Sequence, residues 1–259
     1  MKIIAGMLQG ETGTVEVLGF NPMTQRVPLM RELGVLFGNR TELWWDHPIS
    51  VSFDWKKVVW GIPDDTYRRN LEQATDLLDL KPLVKTFARE LSLGQRMRAD
   101  LAMLLLHNPR VIILDEPTLG LDVLAKRNII DYLKRLNREN GVTVLITSHD
   151  MDDLEAMAER IIMIAGGEIA FDGSFDQMRG LTTLRRRIKI TTESKQAPIL
   201  LLATHLSSQD SIHEFEYDSS IVTMPKLLAE LAELPGIRDM ETGKIPIEDV
   251  VSELYTKWR

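Results

Sequence analysis

The sequence predicts an α/β protein built on a parallel sheet and followed by a smaller α+β domain. Three observations carry that reading. "VIIL" (111–114) and "VTVLITS" (142–148) are continuously apolar, β-branched runs, the pattern of strands buried on both faces. Each is followed by a helical pattern, Val123 to Asn140 and about Asp150 to Glu159, and such alternation implies parallel strands with crossover helices. After Gly180 the alternation stops and strand-rich patterns take over, which places a domain boundary near 180–184.

In chain order, "MKIIAGMLQG" (1–10) sets Ile3, Ile4, Met7 and Leu8 at helical spacing with no capping residue before them, and reads as the body of a helix. "GTVEVLGF" (13–20) alternates and runs into Asn21-Pro22, a strand followed by a turn. "LGVLF" (33–37) is a second short strand. From Asp65 to Leu80 the pattern is helical, with Tyr67, Leu71, Ala74 and Leu78 on one face. A further helix, Gly94 to His107, buries Met97, Leu101, Leu104 and Leu105. The helix from Val123 ends against Gly141, a suitable C-terminal cap. "RIIMIAGGEIAFDG" reads as two strands around a Gly166-Gly167 hairpin. Beyond 180, "LRRRIKITTE" and "IHEFEYDSSIVTM" read as strands, "KLLAELAELPG" as a helix, "IRDME" as a weak strand and "IEDVVSELYTKW" as a closing helix.

Composition narrows the function classes. The 259 residues are 44% hydrophobic, enough for one large domain or two modest ones. Cysteine is absent, which removes disulfide frameworks and thiolate metal sites. A net charge of −7 argues against a general nucleic-acid binder. Apolar runs such as "LAMLLL" and "PILLLA" are core-sized, far below the ~20 residues a membrane span needs. No signal-peptide pattern opens the chain. The expectation is a soluble, cytoplasmic chain; any membrane part belongs to a partner.

The chemistry concentrates at three places. "RVIILDEPTLGLD" ends an apolar strand in Asp115-Glu116, two carboxylates at the carboxyl edge of a parallel sheet, where ligands of open α/β folds bind. One can hold a magnesium ion while the other orients and deprotonates a water. The competing reading is an acidic strand end capping the next loop. The Pro117-Thr118 turn and Asp122 favour a nucleotide site. "LSLGQRMRADLAMLLL" places Ser92 and Gly94 at a helix start suited to a phosphate, and an ordinary Ser92 N-cap is the alternative. His149 ends the "VTVLITSH" run and should emerge at the same sheet edge as Asp115 and Glu116. His47, His107, His205 and His213 have no such context and read as structural or surface residues.

Leu91–Gln95, then "VIILDEPTLGLD", then "TSHD", in that order and spacing, resemble the ATP-binding cassette (ABC) ATPases over about residues 1–180. The resemblance implies a P-loop NTPase fold with a helical subdomain at about 47–107, and ATP with Mg2+ as ligands. It implies that Asp115 binds magnesium, that Glu116 is the catalytic base and that His149 senses the γ-phosphate. Ser92, Gly94 and Gln95 would belong to the signature loop that contacts ATP held by a second cassette, with Asp122 at the interface of a head-to-tail dimer. "LGVLFGNRTELWWDHP" is similar to the Q-loop region of ABC-2-type exporter ATPases, such as the daunorubicin-resistance and multidrug-export subunits. Asn39 stands there where that family usually has Gln, keeping the amide on a stem one methylene shorter. Trp44 and Trp45 either pack into the core or help form a groove for a helix of the membrane subunit. Residues 181–259 resemble the accessory C-terminal domain of such exporters, chiefly in "IPIEDVVSELY". Arg185–Arg187 read as a solvated strand edge, with contact to acidic lipid or a partner as the alternative.

Such ATPases need G-x-x-x-x-G-K-[ST] to cradle the phosphates. The one Gly-Lys pair here is Gly243-Lys244, followed by Ile245. The expectation is therefore an N-terminally incomplete cassette whose phosphate loop ends a few residues before Met1, inactive alone. By resemblance the function is that of an ATP-binding and ATP-hydrolysing subunit. It would energise export through a separate ABC-2-type permease, bound peripherally at the cytoplasmic face of the membrane, with no nucleic-acid partner. The alternatives are a soluble non-transport ABC protein, or a degenerate cassette that supplies only its signature loop to a partner.

Overall fold

The structure, a computed structural model, describes residues 1–37, 41–181, 185–244 and 246–257. The chain divides into two compact units, Met1–Ala158 and Glu159–Arg259. The segment 180–184 lies inside the second unit, and 182–184 are outside the described residues.

The first unit runs α1 (Arg26–Glu32), β1 (Leu33–Phe37), α2 (Ile49–Trp60), α3 (Asp64–Leu77), α4 (Leu93–Leu105), β2 (Val111–Asp115), α5 (Val123–Asn140), β3 (Thr143–Thr147) and α6 (Met151–Met157). The three strands form a parallel sheet in the order β1-β2-β3, with Phe37, Asp115 and Thr147 level at its carboxyl edge. Alternate side chains serve opposite faces. Leu33, Val111 and Ile113 pack with Ala5 and Leu29 from the N-terminal segment and α1. Leu36, Ile112 and Leu114 pack with Leu101, Leu104 and Ile129 from α4 and α5. Both faces are covered, so β1 and β2 read as unbroken apolar runs. β3 is an edge strand and only half-buried, with threonines at both of its ends.

Residues 1–10 are not a helix body. One turn forms, with Ala5 N–H donating to Met1 O (3.0 Å), and it closes at Gly6, whose φ is +64°. Gly6 N–H reaches Ile3 O and Met7 N–H reaches Lys2 O, the paired bonds of a Schellman stop. "GTVEVLGF" is not a strand either. Val17 and Phe20 exchange both backbone hydrogen bonds (2.9 Å each) around Leu18 and Gly19, which both have positive φ. A ladder needs a neighbour, and no described strand runs beside these residues. Their apolar side chains instead pack against the sheet face that Leu33 and Ile113 line.

Two helices of this unit escaped the sequence reading. α1 is short and carries Pro28 in its first turn, where the missing N–H costs nothing. α2 buries Ile49, Ser52, Phe53 and Lys56, so half of its inward face is polar and the apolar periodicity is hidden. Ser52 Oγ accepts Trp44 N–H (2.9 Å), and Lys56 pairs with Glu42 (3.5 Å).

In the second unit β4 (Ile161–Ala165) and β5 (Glu168–Gly173) form the expected antiparallel hairpin, and α7 (Phe175–Arg179) follows. Then come β6 (Arg185–Thr192), β7 (Thr204–Gln209), β8 (Ile212–Asp218), α8 (Met224–Ala232), β9 (Ile237–Lys244) and α9 (Ile247–Lys257). The antiparallel order is β7-β8-β6-β9, over a core of Ile188, Ile190, Phe215, Tyr217, Leu227 and Leu231. β6 is therefore interior, which overturns the strand-edge reading of its arginines. Arg185 pairs with Glu216 (3.0 Å), and Arg187 with Glu214 (3.6 Å) and Asp249.

The packing of α4 on the sheet generates a test. A Cβ on Gly34 would lie 2.6 Å from Leu104 Cδ2 and 2.8 Å from its Cγ, within a closed core. Gly34→Ala should cost about 1–3 kcal/mol, read as a lower urea midpoint with an unchanged m-value.

Candidate functional site

β2 carries Asp115 to the sheet's carboxyl edge, and the parallel register sets Thr147 beside it. The Thr147 hydroxyl donates to Asp115 Oδ1 at 2.5 Å, fixing that carboxylate. Glu116 follows in the left-handed region at φ +55° while its N–H still donates to Thr147 O (2.9 Å). A non-glycine residue held there stores backbone strain, a feature that clusters at functional sites. The turn sends the Glu116 carboxylate toward His149, whose Nδ1 lies 3.0 Å from Oε1. His149 is largely exposed and Glu116 mostly covered. The hydrogen bond and the charge of Glu116 both push the His149 imidazole above its ordinary range, with Asp150 adding to the effect.

A second group forms where two helices begin. Ser92 caps α4 in a capping box: Ser92 Oγ accepts Gln95 N–H (3.2 Å) and Gln95 Oε1 accepts Ser92 N–H (2.9 Å). The plain N-cap reading of Ser92 thus describes its geometry. Asp122 caps α5, its Oδ1 accepting Ala125 N–H at 2.8 Å. Gly94 joins the two starts, because a Cβ there would lie 3.0 Å from the Ala125 Cβ. The structure therefore gathers Asp115, Glu116 and His149 at one edge, and Ser92, Gly94, Gln95 and Asp122 around the starts of α4 and α5.

Asn39 lies outside the described residues. After it, Thr41 Oγ1 (2.9 Å) and Glu42 N–H (3.1 Å) both donate to Asp100 of α4, whose carboxyl burial pushes up to about 7. Trp44 and Trp45 are 40% and 48% exposed, which removes the core-packing reading. The Arg96 guanidinium sits 5.0 Å from the Trp45 ring centroid.

Among the described residues no group of three or more His, Asp or Glu side chains gathers to cage a metal. Magnesium is commonly held by one or two carboxylates together with phosphates and waters. A single Asp115, oriented by Thr147, fits that mode. Two residues of the site escaped the sequence reading. Thr147 was signalled only by register, since "VIILD" and "TVLIT" end level. Lys126, whose ammonium lies 2.8 Å from both Asp150 and Asp153 in the segment after His149, was signalled only by its place four residues after Asp122.

The chain is similar to known proteins in sequence and in fold. The ABC transporter family model matches residues 1–119. The ABC transporter ATP-binding protein NatA of Bacillus subtilis is 26% identical over 178 residues, 69% of this chain and 72% of its own length. An energy-coupling factor transporter ATP-binding protein, EcfA2 of Bacillus thuringiensis, is 27% identical over 67% of this chain and 61% of its own length. A putative ABC transporter ATP-binding protein of Methanosarcina mazei is 31% identical over 74% of this chain, but the match spans only 38% of that protein. Among solved structures, cbiO1 of Clostridium perfringens, part of the ABC transporter complex cbiONQ, has TM-score 0.60, 24% identity and coverage of 67% of this chain and 70% of its own. A dimeric ATP-binding cassette bound to ADP and Pi has TM-score 0.58, 23% identity and coverage of 67% and 78%. The fold is therefore the ABC ATPase fold. No helix among the described residues is long and apolar enough to cross a membrane.

The His149–Glu116 pair has a definite pH signature. A raised imidazole pKa means the charged pair is fully present below the ordinary histidine range and is lost as pH rises through the raised value. An NMR titration of His149 should show a midpoint above ~6.5. Glu116→Gln should bring it down; an unmoved midpoint would sink the pairing.

Proposed function

We propose that this chain, an ABC ATPase in fold and in family match, is the ATP-binding subunit of a membrane transporter and works at the cytoplasmic face through a separate permease. The observation that carries this reading is the cluster at the carboxyl edge of the parallel sheet: Asp115 fixed by Thr147, with Glu116 turned onto His149. The relatives support a subunit that works with others, since one is named for an energy-coupling factor transporter and one is part of a transporter complex. Export through an ABC-2-type permease rests on "LGVLFGNRTELWWDHP", and the exposed Trp44 and Trp45 offer surface for a membrane subunit.

In the proposed reaction Glu116 orients a water and takes its proton as it attacks the γ-phosphorus, while the bond to the β–γ bridging oxygen breaks and ADP leaves with that oxygen. His149 donates from Nδ1 to hold that carboxylate ionised and aimed. Asp115 would hold Mg2+, which supplies charge neutralisation of the phosphates when bound. Ser92, Gly94 and Gln95 would face ATP held by a second cassette, with Asp122 between the two, and the Asn39 amide would reach toward the metal or the water. The Ser92 and Gln95 side chains would exchange part of their capping box for phosphate contacts.

The 259 residues contain no G-x-x-x-x-G-K-[ST], so ATP binding by them alone should be near background in equilibrium dialysis. Joined to a segment carrying that loop ahead of Met1, the chain should bind and hydrolyse ATP. Glu116→Gln in the joined chain should keep binding and lower kcat by about 100-fold or more. Undiminished turnover in that variant overturns the assignment, and tight ATP binding by the 259 residues overturns this account of the phosphate site.

A further inference from the structure

One side chain ties the two functional groups together. Lys126 lies four residues into α5 from the cap Asp122, with its ammonium 2.8 Å from Asp150 Oδ2 and 2.8 Å from Asp153 Oδ2. Asp150 directly follows His149 in the chain. Its own backbone N–H donates to Ser148 Oγ (3.1 Å), and its Oδ1 accepts Asp153 N–H (3.0 Å) to cap α6. The segment that presents His149 is thereby bound at Asp150 and Asp153 to a single cation rooted at the start of another helix. Asp153 is only 11% exposed in its side chain, so its carboxylate depends on that cation for charge compensation. Without Lys126 two neighbouring carboxylates would repel each other on the loop that carries His149.

We infer that Lys126 is a positioning residue: it holds the 148–150 segment against the start of α5 and so keeps His149 on Glu116. The consequence for turnover rests on the proposed ATPase reading; the placement of His149 does not. A lysine suits the task because one compact ammonium with three rotatable donors serves two carboxylates on different turns. The arrangement also links the Asp122 start of α5 to the Glu116 carboxylate through Lys126, Asp150 and His149.

The sign of one titration separates positioning from a mere charge effect. The charged groups facing His149 are Glu116 and Asp150, which raise its pKa, and Lys126, which lowers it. If Lys126 acted only through its charge, Lys126→Met would lift the His149 midpoint further. If it positions His149, the loop relaxes, the contact with Glu116 is lost and the midpoint falls toward ~6.5. The expected result for Lys126→Met in the 259-residue chain, followed by NMR, is that fall, with recovery in Lys126→Arg. A midpoint that rises or stays in place overturns the inference. Lys126→Gln deletes the same charge with a polar side chain and serves if the methionine variant does not fold. It should produce a fall in the same direction, and a midpoint that rises or stays in place overturns the inference equally. In the ATP-hydrolysing joined chain, Lys126→Met should lower kcat on the order of 10²-fold with KM for ATP unchanged, a split that general loosening of the fold would not give. If the joined chain hydrolyses no ATP while the NMR result holds, the functional reading fails and the positioning role stands.

Discussion

The parallel register of β1, β2 and β3 is the constraint on which the rest depends. Because the three strands run the same way, their carboxyl ends finish level at Phe37, Asp115 and Thr147. That places a threonine hydroxyl against an aspartate carboxylate and leaves Glu116 and His149 to leave the sheet side by side. A slip of one residue would send every side chain of a strand to the opposite face. The slip is costly here because both faces of β2 are buried, one against Ala5 and Leu29 and the other against α4 and α5. The hydrophobic core thus fixes the site's geometry before any polar contact is made.

Helix starts supply the second layer. Ser92, Asp122, Asp150 and Ser174 each accept a hydrogen bond from the backbone N–H three residues on, so four helices begin in the same chemical way. Most polar groups around the site are spent on such internal bonds. His149 differs, being exposed and bonded to a carboxylate, and Glu116 differs in its strained backbone. His149 thus leaves polar capacity open to solvent beside the partly covered Glu116 carboxylate.

Legibility in the sequence followed the physics of each element. The strands "LGVLF" and "VIIL" and the helices from Asp64, Leu93 and Val123 were readable because their burial is carried by apolar side chains at regular spacing. The α2 helix was hidden because Ser52 and Lys56 occupy inward positions, satisfied by Trp44 N–H and Glu42. The β7 strand was hidden because "THLSSQ" is polar and lies, exposed along its length, at a sheet edge. "GTVEVLGF" misled in the other direction: its alternation is real, yet alternation makes a strand only when a neighbour pairs with it. His107 and His213, read as structural or surface residues, are half-buried and buried respectively, one stacked on Trp60 and the other bonded to Thr192 and Ser208.

What the sequence by itself determined are the quantities that depend on residue type and local spacing. These are the apolar runs of the parallel sheet, the carboxylates at the end of "VIILDE", the cap at Ser92 and the histidine after "LITS". Each is a short-range matter of burial, hydrogen-bonding capacity or backbone preference. Only the tertiary structure decided who meets whom across the chain: Thr147 on Asp115, His149 on Glu116, Gly94 against Ala125, and Lys126 between Asp150 and Asp153. Such contacts follow from register and helix placement, which the whole core sets and no local pattern encodes.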